Sequence, residues 1–253
     1  MPKPLLILLT LFLSINATLA QSETLSVAAD EWYPVSGDPA DGREGYMIDL
    51  LRLIFEKQGI NVDYRLMSWD KALEQVNGGY VDCVVGALKS EAPALLYPSV
   101  SWGKDQSALY VRKRDAWDYS GDLESLSQRS VGVILDYGYG EQLDAFFHEH
   151  AGHSVHFASG KVPLVDNIND TLSGKLDTLV ETKIVMQATL HLLGLKPAFR
   201  WVADIGPAAE LYVGCHNSKK RWIAMIDSAM TDLLSSGQVD RLLESYDVET
   251  WPH

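Results

Sequence analysis

The sequence predicts an α/β protein of two lobes, each a mostly parallel sheet flanked by helices, with two hinge strands between them. Three observations carry this. Apolar runs of strand length alternate with amphipathic runs of helix length from residue 25 to residue 88, and the alternation recurs from residue 130 to residue 194. Two extended segments, each containing Leu-Tyr-Val, flank the second unit. Strand-helix alternation implies parallel pairing, and two flanking extended segments are what a chain needs to cross to a second lobe and return.

In the first unit "LSVAAD" reads as a strand, and "GYMIDLLRLIFEKQG" as a helix closed by glycine. "NVDYRLM" is a second strand, "SWDKALEQVNGG" a helix with Ser68 as N-cap, and "VDCVVGAL" a buried strand. The second unit follows the same order. "SVGVIL", "SVHFAS" and "LDTLVE" are its strands; "GEQLDAFFHEHAG", "VPLVDNINDTLSG" and "KIVMQATLHLLG" are its helices. "SALYVRKRD" and "AAELYVGCHN" are the crossing segments, and the amphipathic runs "KKRWIAMIDSAMTDLLSSG" and "QVDRLLESYDV" complete the first lobe. The expected division is therefore 21–108 and 213–253 for lobe 1 and 109–212 for lobe 2, with hinges near 108–111 and 209–213.

Residues 1–20, "MPKPLLILLTLFLSINATLA", have an early lysine, an apolar core and small residues at Thr18 and Ala20. That is the layout of a secretory signal peptide and predicts a soluble protein in the periplasm. The chain carries 34 acidic against 21 basic side chains, a formal charge of −13. Such a surface repels nucleic acid and anionic lipid, so neither is an expected partner. Only Cys83 and Cys215 are present, too few for a disulfide scaffold, and the fold must rest on its apolar core.

Chemistry-bearing patterns are sparse. "FFHEHAGHSVH" gathers four histidines, but Gly152 stands where the zinc-protease H-E-x-x-H pattern needs its second histidine, and no metal site is expected. No nucleophile elbow, P-loop or dinucleotide-binding glycine pattern occurs, so no cofactor is expected. Asp30, Glu31, Asp49, Glu91, Asp136 and Glu181 lie near strand ends without the spacing of a catalytic pair, and no catalytic residue is assigned. "ILDYGYGEQLDAFF" puts two tyrosines and two glycines at the mouth of a helix, where free backbone N–H groups favour an anion.

The ordered series "ADEWYP", "GYMIDLL", "SWDKALEQVNGGYVDCVVGA", "ALYVRKRD", "SVGVILDYGYG", "SGKLDTLVE" and "DLLSSGQVDRLLESY" resembles the extracytoplasmic solute-binding proteins of polar amino acid ABC importers, the type that includes glutamine-binding and lysine-arginine-ornithine-binding proteins. The resemblance covers nearly all of the chain after the leader. It implies the type II periplasmic-binding fold, a monomeric clamp that closes on a small polar ligand in the interlobe cleft and delivers it to an ABC permease. It places Tyr33 and Trp69 as the two rings of an aromatic sandwich. It also implies that the returning strand lies antiparallel beside the third strand, bringing Cys83 and Cys215 close enough to bridge.

The family's anchors for an α-amino acid are altered. Where an arginine would grip the carboxylate, near Glu91, the segment "GALKSEAPALLYPSVSW" has none; Lys89 and Ser90 are its candidate ligand contacts. Thr182 stands where an aspartate would bind the ammonium group. At the helix mouth Tyr137, Gly138 and Tyr139 occupy the place of a glycine followed by hydroxyl residues, so the resemblance implies an anion site with aromatic walls. The expected ligand is a small polar molecule with apolar surface, not an ordinary α-amino acid. Two alternative functions are a periplasmic enzyme of the cyclohexadienyl dehydratase type, using a cleft carboxylate, and a ligand-sensing module for a membrane receptor.

Overall fold

The computed structural model describes residues 23–135, 137–160 and 162–248. The expected leader, residues 1–20, and Asp136 lie outside the described residues. Two five-stranded sheets form the frame. In the first, β1 (Thr24–Ala29) runs parallel to β2 (Asn61–Leu66) and β3 (Cys83–Ala87), with α1 (Tyr46–Phe55) and α2 (Trp69–Asn77) as crossovers. In the second, β6 (Val131–Ile134) runs parallel to β7 (Val155–Ala158) and β8 (Thr178–Thr182), linked through α3 (Glu141–Glu149) and α4 (Pro163–Ser173).

Each parallel trio is extended by antiparallel strands, so the sheets are more mixed than the alternation alone suggests. The strand β5 (Ser107–Arg112) pairs antiparallel with β8 and with β9 (Phe199–Asp204) in the second sheet. Likewise β10 (Ala209–Cys215) lies antiparallel between β3 and the short β4 (Gly103–Asp105) in the first. Because β5 sits wholly in one sheet and β10 wholly in the other, the chain changes sheet at Gln106 and over residues 205–208. These crossings fall earlier than the expected 108/109 and 212/213 boundaries. The Leu-Tyr-Val strings are buried strand interior, paired in their sheets with register shifts between Leu109 and Tyr110 and between Tyr212 and Val213.

Helix α1 shows why the first lobe holds together. Seven of its ten residues are buried, including Tyr46, Met47, Leu50, Leu51 and Phe55. Its polar exit is Arg52, paired with Glu44 at 2.7 Å and Glu56 at 3.3 Å. Behind it α6 (Lys220–Ser235) and α7 (Gln238–Ser245) close the core, with Trp222 edge-on to Phe55 at 5.5 Å. In the second lobe α5 (Lys183–Leu192) follows β8 directly.

Cys83 and Cys215 are directly opposed in the β3–β10 ladder and joined by a disulfide. The 132-residue separation makes the closed loop long enough to enclose the whole second lobe. Loss of a link closing so long a loop typically costs about 2–5 kcal/mol. Cys83→Ala/Cys215→Ala is therefore expected to unfold at a clearly lower urea midpoint than the parent; equal midpoints would show that the link contributes nothing.

Candidate ligand-binding cleft

The C-terminal ends of both parallel trios face each other, and a cavity of about 320 Å³ lies between them. From the first lobe, Asp30, Glu31 and Trp32 follow β1, while Trp69 opens α2. Gly86, Leu88 and Glu91 line it from the end of β3 and the loop beyond; Asp105 ends β4. The second lobe adds Tyr137 and Gly138 after β6, and Thr182 at the end of β8. A larger cavity of about 600 Å³, lined by Tyr119, Gly140, Leu143 and Pro207 among others, draws on no residue of the first sheet and so does not join the lobes.

Local backbone rules set the aromatic wall. Residues 32–36 form a tight turn in which the Trp32 N–H donates to the Ser36 carbonyl at 2.8 Å. Gly86 has φ +78° and a Cβ there would meet the Trp32 ring at 3.4 Å. Glycine thus supplies both the left-handed backbone and the room for the indole to lie against the strand end. Trp69 lies close enough to Glu91 to favour its ionised form, which places the second indole beside the loop after β3.

At the floor the two lobes touch through polar groups. The Thr182 hydroxyl donates to Asp105 Oδ1 at 2.9 Å, and the Thr182 N–H donates to Glu181 Oε1 at 2.7 Å. Glu181 is 1% exposed, and its Oε2 has no hydrogen-bond partner among the described residues. Burial pushes its carboxyl up to about 8, against the Thr182 hydrogen bond and assisted by the charge of Asp105. Burial also raises Asp30, Asp105 and Glu91, and for Glu91 the charges of Asp105 and Asp30 add to the rise. Tyr137 is pushed up to about 12 by burial and by Glu181 and Asp30.

Of the residues singled out in the sequence, Trp69, Tyr137, Gly138 and Thr182 come together in this cleft. Tyr33 does not: its ring packs 6.0 Å from that of Tyr246 and under Arg43, because neighbouring side chains in the turn point to opposite sides. The ring that enters the cleft is Trp32. Lys89 is drawn away onto the faces of Tyr212 and Tyr97, at 3.9 and 5.7 Å from their centroids, and Ser90 stands exposed outside the lining. Tyr139 is a core residue. Its hydroxyl oxygen accepts from the Ile134 N–H at 2.8 Å, and its ring meets Phe147 edge-on.

The helix mouth also departs from expectation. Its first turn, Glu141 to Leu143, opens on the larger cavity rather than the cleft. It carries its own acids: Glu141 lies in that turn, and Asp144 accepts from the Tyr139 N–H at 2.9 Å. A second signal was present in the sequence but unreadable by spacing, since Asp30, Glu31 and Glu91 converge with Asp105 only when β1, β3 and β4 are assembled in the first sheet.

Glu181 makes the fold sensitive to pH. Asp105 on β4 and Tyr137 and Tyr139 after β6 are the ionisable groups that interact with it. An unfolded glutamate ionises near 4.5, whereas the native one holds its proton to about 8. The native state therefore binds more protons between those values, and stability falls as pH rises through that window. Glu181→Gln keeps the acceptor for Thr182 and removes the penalty, so its melting temperature should exceed the parent's by more at pH 8 than at pH 5. A pH-independent difference in scanning calorimetry would contradict this.

Comparison with known proteins agrees with the architecture. The L-cystine solute receptor of Neisseria gonorrhoeae, in its unliganded open conformation, superimposes with a TM-score of 0.68 at 17% identity, over 91% of this chain and 97% of that one. A substrate-binding protein of an ABC uptake transporter from Streptococcus pneumoniae, with bound histidine, gives 0.67 at 18% identity, over 90% and 95%. A histidine kinase sensor domain with similarity to periplasmic binding proteins gives 0.63 at 20%, over 88% and 95%. At these identities the likeness concerns the fold. Among curated protein sequences none matches. Among the described residues no helix is long and apolar enough to cross a membrane. The family model of bacterial extracellular solute-binding proteins, family 3, matches residues 25–249, nearly the whole chain, and the protein belongs to that family.

Proposed function

We infer that the protein captures a small ligand in the interlobe cleft by hinge closure, as a monomer in the periplasm, and presents it to an ABC permease. The observation that carries this reading is the cavity itself, which draws walls from both sheets and reaches Asp105, next to the crossing at Gln106. Closure is a rotation at Gln106 and residues 205–208, and the ligand supplies the contacts that favour the closed state. The sequence similarity to a solute-binding family supports a role in uptake.

Binding without turnover is the reading the similarity to solute-binding proteins favours. The carboxyl raised to about 8, that of Glu181, is sealed in the floor at 1% exposure, out of reach of a ligand's reacting atoms. A dehydratase would have to draw instead on Asp30, Glu91 or Asp105, which burial also raises and which line the cavity.

A thermal-shift screen of metabolites tests the clamp, because a ligand that binds only the folded state raises the melting temperature with occupancy. Trp69→Ala is expected to lose at least about tenfold in affinity for any hit, or about 1.4 kcal/mol. Its own unliganded melting temperature should change little, since Trp69 is only partly buried. Unchanged affinity would remove the cleft from the function.

A further inference from the structure

We propose that the cleft is built for a carboxylate-free organic cation: an amine or guanidine on an apolar stem, held between aromatic rings and acidic side chains. The inference rests on the reading of this cleft as the ligand site and specifies its chemistry.

Charge inventory is the first observation. Asp30, Glu31, Glu91 and Asp105 line the cavity, and no lysine or arginine is among the described residues that do. Lys89, Lys104 and Lys183 each adjoin a lining residue in sequence, but none lines the cavity; Lys89 is held on Tyr212 and Lys183 pairs with Asp204 at 3.3 Å. Four carboxylates around one cavity repel one another, and a bound cation would relieve that repulsion. A ligand carboxylate would be desolvated there with no positive partner, which is costly.

The second observation is independent of the acidic lining. Among the described residues Glu181 Oε2, behind the floor formed by Thr182 and Asp105, has no hydrogen-bond partner, so no cationic side chain backs the cavity wall there. A third concerns the two helix starts of the second lobe nearest the cleft, those of α3 and α5. The α3 first turn faces away into the larger cavity and carries Glu141 and Asp144, while α5, which starts beside Thr182, gives its first N–H to the Gln106 carbonyl at 3.0 Å.

Aromatic geometry completes the match. Trp32 and Trp69 come from the first lobe and Tyr137, 47% exposed, from the second. Closure would bring their faces around an alkyl stem and its charged end. Ring faces attract ammonium and guanidinium groups, more strongly once water is excluded.

Matched pairs that differ only by a carboxylate test this directly: agmatine against L-arginine, and 1,4-diaminobutane against L-ornithine. Isothermal titration at neutral pH should give the decarboxylated member of at least one pair an affinity at least tenfold higher than its amino acid. Glu91→Gln and Asp30→Asn should each weaken agmatine or diaminobutane binding several-fold without lowering the unliganded melting temperature. Equal or tighter binding of the amino acids, or no binding by any of the four at millimolar concentration, overturns the inference. The clamp reading fails separately, if a bound amine keeps its affinity in Trp69→Ala.

Discussion

The structure depends on one backbone constraint: two strands of different sheets are separated by a single residue. β4 ends at Asp105 and β5 begins at Ser107, so Gln106 alone must turn the chain from one lobe into the other. Its side chain also reaches the return crossing. Gln106 Nε2 donates to the carbonyls of Ser107 at 3.1 Å and Ile205 at 3.2 Å, and the Ile205 N–H donates to the Ser107 carbonyl at 2.9 Å. The two crossings are thus bound to each other at one point. Any rotation of the lobes pivots there, and the strand ends that line the cleft move towards or away from one another.

That geometry fixes the electrostatics of the site. Asp105 lies immediately before the pivot and meets Thr182, one residue beyond Glu181, so acids of both lobes are pressed together at the floor. Burial in a region of low polarity without a cation disfavours ionisation of all of them. A fold under selection for stability alone would not retain a buried, half-satisfied carboxyl such as Glu181, which costs more than an apolar side chain of similar size. The cost is concentrated beside the cleft, where function rather than stability sets the side chains.

Much of the fold was legible because it rests on local rules. The period of the apolar residues marks the two parallel trios and their helices, and Gly59, at φ 73°, closes the run after α1 as its sequence position implies. Two strands escaped. β4 is three residues long and exists through its pairing with β10, while β9, "FRWVAD", lies along a sheet edge with Arg200 and Asp204 among its apolar residues and only Phe199 buried. The site was less legible still. Trp32 and Tyr33 are adjacent, and which ring faces the cleft is decided by the turn, not by residue type. Lys89 could be recognised as a cation, yet its capture by Tyr212 needs β10 in place, 123 positions along the chain. Asp105, in a segment without pattern, could be found only from the assembled floor.

The disulfide has a topological meaning beyond its contribution to stability. Since Cys83 and Cys215 belong to the first sheet and bracket both crossings, the entire second lobe is a covalently closed excursion from the first. A protease that cuts any exposed loop between them opens the excursion without releasing a fragment. The nicked molecule keeps its mass and both halves of its cleft until a reductant reaches the buried bridge. For a protein working where proteases are abundant and thiols scarce, the link converts a lethal cut in the mobile lobe into a tolerable one.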